Sequence, residues 1–249
     1  MAENNEEKYI YVAFDTDCLS ELAHLWQLKQ KGVVFDQTKV KPSSLLGRYS
    51  GYFQHILSLI EQGKIRPFIV NTIYHESLLV DHIKPFIKEF GYFPDYNAAN
   101  KVKKRRMKMD LARSYCKEFE WNGRKYPAPM KIEFDANSDE FKPQNDAYAM
   151  AEATIEGCTF FITANEKDYI SQRGEKTRNS RAYGIMLINL IKGFFTCNEH
   201  GEQRTTKPMS IATFGALVNG IDGLTANNLE NVVKASTVMI EEDEGPLLF

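Results

Sequence analysis

An α/β fold with a parallel sheet flanked by helices is the class this sequence predicts, and three observations carry it. Short, apolar, β-rich runs occur at Tyr9 to Phe14, Arg66 to Val70 and Thr159 to Thr163. Stretches of helical periodicity follow or precede each of them, and polar residues able to cap a helix stand at the junctions. Strands alternating with helices at this spacing build a parallel sheet, whose ligand sites lie beyond the carboxyl ends of the strands.

Along the chain, the first strand ends in Asp15-Thr16-Asp17 and runs into a helix over Cys18 to Lys29, with Leu19, Leu22, Ala23 and Trp26 on one face. After the second strand, Asn71-Thr72 opens an amphipathic stretch through Ile87. The pattern then breaks between Gly91 and Pro143, which reads as an insertion with its own helical segment, Ala98 to Phe119, and a Pro- and Asp-containing run from Asn122. A small-residue helix from Asn145 to Glu156, closed by Gly157, leads into the third strand, and Tyr183 to Asn189 predicts a fourth. Beyond Phe195 come a turn at Asn198 to Arg204, a small-residue stretch from Ile211 to Val218, a helix from Thr225 to Ala235 and an acidic end, 241–244. This divides the chain into one domain over 8–195 with an insertion at about 91–143, then a C-terminal extension over 196–249.

The composition, 43% hydrophobic and 26% charged, suits a globular domain, and no apolar run is long enough to cross a bilayer. The acidic, polar start MAENNEEK lacks the basic and apolar regions of a secretory signal, so the expected location is the cytoplasm, with no membrane partner. Cys18, Cys116, Cys158 and Cys197 never form a C-x-x-C pair and read as reduced thiols. A net charge of -2 means that a polyanion needs a local positive strip. The densest is Lys101, Lys103, Lys104, Arg105, Arg106 and Lys108; a second is Arg173, Lys176, Arg178 and Arg181. Such runs are ordinarily solvated helix faces. The functional reading assigns Lys104, Arg105, Arg106, Arg173, Arg178 and Arg181 to nucleic-acid phosphates.

Three carboxylates stand beside strand ends or helix starts, Asp15, Asp146 and Asp168, and a fourth, Glu76, lies one turn into the helix after the second strand. Each alone is explained by capping or by the helix macrodipole. Taken in order, all four could face one cleft, because Ala147, Ala149, Ala151 and Ala153 keep the Asp146 helix slim enough to approach the sheet. Carboxylates that close raise one another's pKa, and a hard divalent cation, Mg²⁺ or Mn²⁺, is the natural compensation. The histidines, His75 included, show no ligand spacing. Tyr49, Tyr52, Phe53, Tyr92, Phe93 and Tyr96 read as packing residues.

Four ordered motifs then resemble the PIN-domain nuclease family. Val12-Ala13-Phe14-Asp15-Thr16-Asp17-Cys18-Leu19 is similar to its apolar strand followed by D-T-[N/D]-x-L. Val70-Asn71-Thr72-Ile73-Tyr74-His75-Glu76 is similar to its Ser/Thr with Glu four positions on. Asn145-Asp146 followed by small residues resembles its third motif, and Phe160 to Tyr169 resembles its strand, T-x-[N/D]-x-x-D-[F/Y]. The resemblance spans Tyr9 to Asn189, with a longer interval between the second and third motifs than compact toxin members have. It implies a PIN-like (Rossmann-like) three-layer fold and Asp15, Glu76, Asp146 and Asp168 as catalytic metal ligands, supported by Thr16, Asp17, Thr163 and Asn165. The implied activity is a Mg²⁺- or Mn²⁺-dependent endoribonuclease acting on single-stranded or structured RNA. DNA as substrate, a homo-oligomer and an inhibitory protein partner stay open. Two alternatives stand beside it: a haloacid-dehalogenase-like phosphatase using Asp15-x-Asp17, and a catalytically inactive PIN-like RNA-binding protein.

Overall fold

Four of the five residues of Ile10–Phe14 are buried, as in a strand covered on both faces, and this segment forms β1 at the centre of the sheet. The computed structural model describes residues 10–94, 98–117, 119–121, 124–126, 130, 132–135, 140–156, 158, 160–164, 207–210, 214, 215 and 218. After β1 come α1 (Thr16–Gln30), a 3-10 turn (Gln37–Lys39), α2 (Leu45–Glu61), β2 (Ile65–Pro67), α3 (Asn71–Ser77), α4 (Ile83–Phe90) and α5 (Ala98–Tyr115). Two short hairpins follow, β3 (Phe119–Trp121) with β4 (Arg124–Tyr126) and β5 (Ile132–Asp135) with β6 (Glu140–Pro143). The described elements end with α6 (Asn145–Ile155), β7 (Phe160–Thr163) and β8 (Lys207–Ser210).

The principal sheet is parallel, in the order β2-β1-β7-β8, with Val12 opposite both Pro67 and Phe160. The chain leaves β1 toward β2 on one side and returns to β7 on the other. That reversal opens a crevice at the carboxyl ends of β1 and β7. The sheet is flanked by helices, so the predicted α/β class holds.

Several elements differ from the sequence expectation for identifiable reasons. The expectation misses α2, although Leu46, Phe53, Ile56, Leu57 and Ile60 are buried along it. Gly47 and Gly51 weaken its pattern; Gly47 is required because a Cβ there would lie 2.1 Å from the Lys41 carbonyl oxygen. The amphipathic stretch after β2 divides into α3 and α4, with Leu78 to His82 between them. Helix α5 stops at Tyr115 rather than Phe119, which instead enters the β3–β4 hairpin. Tyr183 to Asn189, the predicted fourth strand, lies outside the described residues, as does the predicted helix from Thr225 to Ala235. The strand that pairs with β7 on the side away from β1 is Lys207–Ser210, from the stretch the sequence reading assigns to the C-terminal extension. Phe214 just beyond it is fully buried, its ring 5.4 Å from that of Phe160.

Candidate active site

Asp15 occupies the turn from β1 into α1, where its main-chain N–H still donates to the Ile162 carbonyl of β7 at 2.9 Å. Its side chain caps the helix: Oδ1 accepts from the Cys18 N–H at 2.8 Å. Oδ2 accepts from the Thr163 hydroxyl and, at 3.0 Å, from the Ala164 N–H, both at the end of β7. Capping and site-building are therefore not rival roles for this residue. Only 7% of Asp15 is exposed. Burial raises its carboxyl pKa above the ordinary value, against the opposing pull of the hydrogen bonds from Thr163, Cys18 and Ala164. Three donors leave acceptor capacity on the two oxygens. Burial and the adjacent Asp15 charge push the Cys18 thiol well up, so it is an inert packing group.

Thr16 extends the site to the next element. Its hydroxyl donates to Glu76 Oε2 at 2.5 Å, joining the first turn of α1 to α3. Glu76 is half-buried and carries a second oxygen. Thus Asp15, Thr16, Glu76 and Thr163, four of the residues singled out in the sequence, come together at one edge of the sheet. Asp17 is exposed in the first turn of α1.

Asp146 lies half-buried in the first turn of α6. Ala147, Ala149, Ala151 and Ala153 are all buried, as a helix laid closely on its neighbours requires, and α6 packs against α3, which bears Glu76. Asp168 and Asn165 lie outside the described residues, together with Arg173, Lys176, Arg178 and Arg181. Among the described residues, no three His, Cys, Asp or Glu side chains stand close enough together to hold a metal ion. His75 is exposed, its ring beside that of Tyr74. Cys18 is a free thiol, and Cys197 lies outside the described residues.

The acid that the sequence reading overlooks is Glu152. It is 5% exposed, accepts from the Thr72 N–H at 2.7 Å and pairs with Lys108 at 2.7 Å. Helix α3 has no side-chain cap of its own, so Glu152 satisfies one of its otherwise unpaired N–H groups from across the fold. The signal was a single acid in the run of small and apolar residues from Ala147 to Ile155, a setting in which a charge must find a partner. The basic run on α5 is likewise divided. Lys104 pairs with Glu156 at 2.8 Å, whereas Arg105 and Arg106 are exposed.

Compared with known proteins, the chain matches no family model, no curated sequence and no solved structure. The reading of its activity therefore rests on this geometry and on the motifs. Among the described residues, no helix is long and apolar enough to cross a membrane.

Proposed function

We propose that this chain is a metal-dependent nuclease with a PIN-like fold, an endoribonuclease whose acidic set is Asp15, Glu76, Asp146 and Asp168. The observation that carries the reading is the tie between Asp15 and Glu76 through Thr16 at the switch point of a parallel sheet. A carboxylate whose pKa is raised by burial is relieved by a cation, and an all-oxygen donor set suits Mg²⁺ or Mn²⁺ rather than zinc. Asp15 and Glu76 would offer the ion its oxygens at the sheet edge, and Asp146, on α6, and Asp168 complete the acidic set that the motifs imply. When bound, divalent ions at such a site lower the pKa of water and stabilise the leaving oxygen of a phosphodiester.

The chain's own residues prepare that chemistry. Thr163, Ala164 and Cys18 fix the Asp15 carboxylate in one orientation, so no reorganisation is needed when the ion arrives. Thr16 holds Glu76 against the end of α1. An aspartyl-phosphate mechanism would instead need Asp15 as a single nucleophilic carboxylate and gives no role to Glu76 in a third element.

The decisive experiment is cleavage of labelled single-stranded RNA with Mn²⁺, with and without EDTA, by wild type, Glu76→Gln and Asp146→Asn. Wild type should cut only with the ion, and each variant should lose roughly 100-fold or more, at least the loss typical of disturbing a residue that merely supports a metal ligand. Undiminished turnover in both variants would remove the site. Phosphomonoesterase activity far above nuclease activity would favour a phosphatase.

A further inference from the structure

Four cations of α5 share one helix face, on which Lys104 and Lys108 are half-buried and Lys101 and Arg105 exposed. Lys101, Lys104, Arg105 and Lys108 follow the i, i+3, i+4, i+7 spacing of a single helical stripe. The same stripe continues through Leu111, Ala112 and Tyr115, which are buried in the core. Lys104 and Lys108, half-buried on this stripe, do not stand clear of the molecule as residues of an ordinary solvated face would. Instead, the four cations line a cleft of about 330 Å³, closed on the opposite side by Asn71 of α3 and by Glu152, Ile155 and Glu156 at the end of α6. Arg106, adjacent in sequence, is exposed and does not line it.

Charge counting defines what the cleft accepts. Glu156 neutralises Lys104 and Glu152 neutralises Lys108, and these two pairs hold α5 on α6. Among the described residues, Lys101 and Arg105 have no carboxylate within ion-pair distance, which leaves the cleft with a net charge of +2 in a chain whose overall charge is -2. Excess positive charge in a concave, partly walled space focuses the potential on anions. The cleft also shares elements with the acidic site. Asn71 and Glu76 stand five residues apart on α3, about 7.5 Å along the helix axis. Asp146 lies on the same helix as Glu152 and Glu156.

We infer that this cleft grips a backbone phosphate of single-stranded nucleic acid, with Lys101 and Arg105 as the contacting cations, and so anchors the strand beside the acidic edge. The inference rests on the nuclease reading for the identity of the strand. Arg105 offers a planar fork to a phosphate, and Lys101 offers a point charge one turn away. Lys104 and Lys108 are positioning residues that keep the walls together.

The test is equilibrium binding of a labelled single-stranded oligoribonucleotide in EDTA across a salt series, so that binding is measured without cleavage. Lys101→Ala combined with Arg105→Ala should weaken binding and lower the magnitude of the slope of log K against log salt by about 0.7, the loss of one phosphate contact. Both residues are exposed, so the melting temperature should stay within a degree or two of wild type, which separates lost contacts from lost fold. Glu156→Gln removes the charge that neutralises Lys104 and should tighten binding. An unchanged slope in the double variant, or retention of inorganic phosphate without retention of RNA, would overturn the assignment. Failure of wild type to cleave with Mn²⁺ while the slope change persists would instead overturn the nuclease reading and leave the cleft standing.

Discussion

The Thr163 hydroxyl donates to Asp15 Oδ2 across 148 residues of sequence, fastening the end of β7 to the end of β1. The neighbouring Ala164 N–H reaches the same oxygen, so the last residues of β7 form a cradle for one carboxylate. Thr163→Val keeps the shape and removes the donor. It should cost about 1–3 kcal/mol of stability, the penalty of an under-satisfied buried acceptor, measured as a shift of the denaturant midpoint at constant slope.

A pH dependence follows from the same carboxylate. Burial raises the Asp15 pKa in the fold above its unfolded value, so the native state binds the proton more tightly than the unfolded chain. Its contribution to stability is then fully present below about pH 3.9, the ordinary aspartate pKa, and is lost as pH rises through the higher folded pKa. In EDTA, the melting temperature of wild type relative to Asp15→Asn should therefore fall as pH rises through this window. A difference that rises with pH would mean that the hydrogen bonds, not burial, control this group.

Divalent ions should reverse that loss. Saturating Mn²⁺ should raise the melting temperature of wild type more than that of Glu76→Gln, because only the folded state gathers the ligands. At 100 times the dissociation constant the expected stabilisation is about 2.7 kcal/mol. An equal shift in both proteins would take Glu76 out of the ion's environment.

Glu152 makes a prediction about architecture. Glu152→Ala removes the acceptor at the Thr72 N–H and leaves Lys108 without its carboxylate. Breaking one side of a buried pair costs about 3–5 kcal/mol, and Lys108, at 24% side-chain exposure, recovers some solvation, so the lower end is expected. Chemical denaturation reads this directly; Glu152→Gln, which keeps an acceptor for Thr72, should cost less.

Phe214 tests whether the segment beyond β8 belongs to the sheet's core. Its ring packs on Phe160, and the next residue, Gly215, leaves no room for a Cβ, which would lie 2.4 Å from the Tyr52 ring. Phe214→Ala should destabilise the whole domain by about 3–5 kcal/mol in a single cooperative transition. A separate low-stability transition would mark the segment as an independent unit.

The sequence by itself determined the features that depend on neighbours a few residues away. These are the run of apolar residues in β1, the cap at Asp15, the alanines of α6 and the strand ending in Thr163. Asp15 and Glu76 stand out only as members of an ordered set of motifs, since an acid at a strand end or in a helix is explained singly by local structure. Other features depended on partners distant in sequence. Helical spacing puts Lys104 and Arg106 on different faces, but only the packing of α5 on α6 decides that Lys104 meets Glu156 while Arg106 faces solvent. Likewise, a four-residue segment such as Lys207–Ser210 carries too little periodicity to announce a strand. Its place beside β7 comes from main-chain hydrogen bonding to a sheet edge that exists only once the chain has folded.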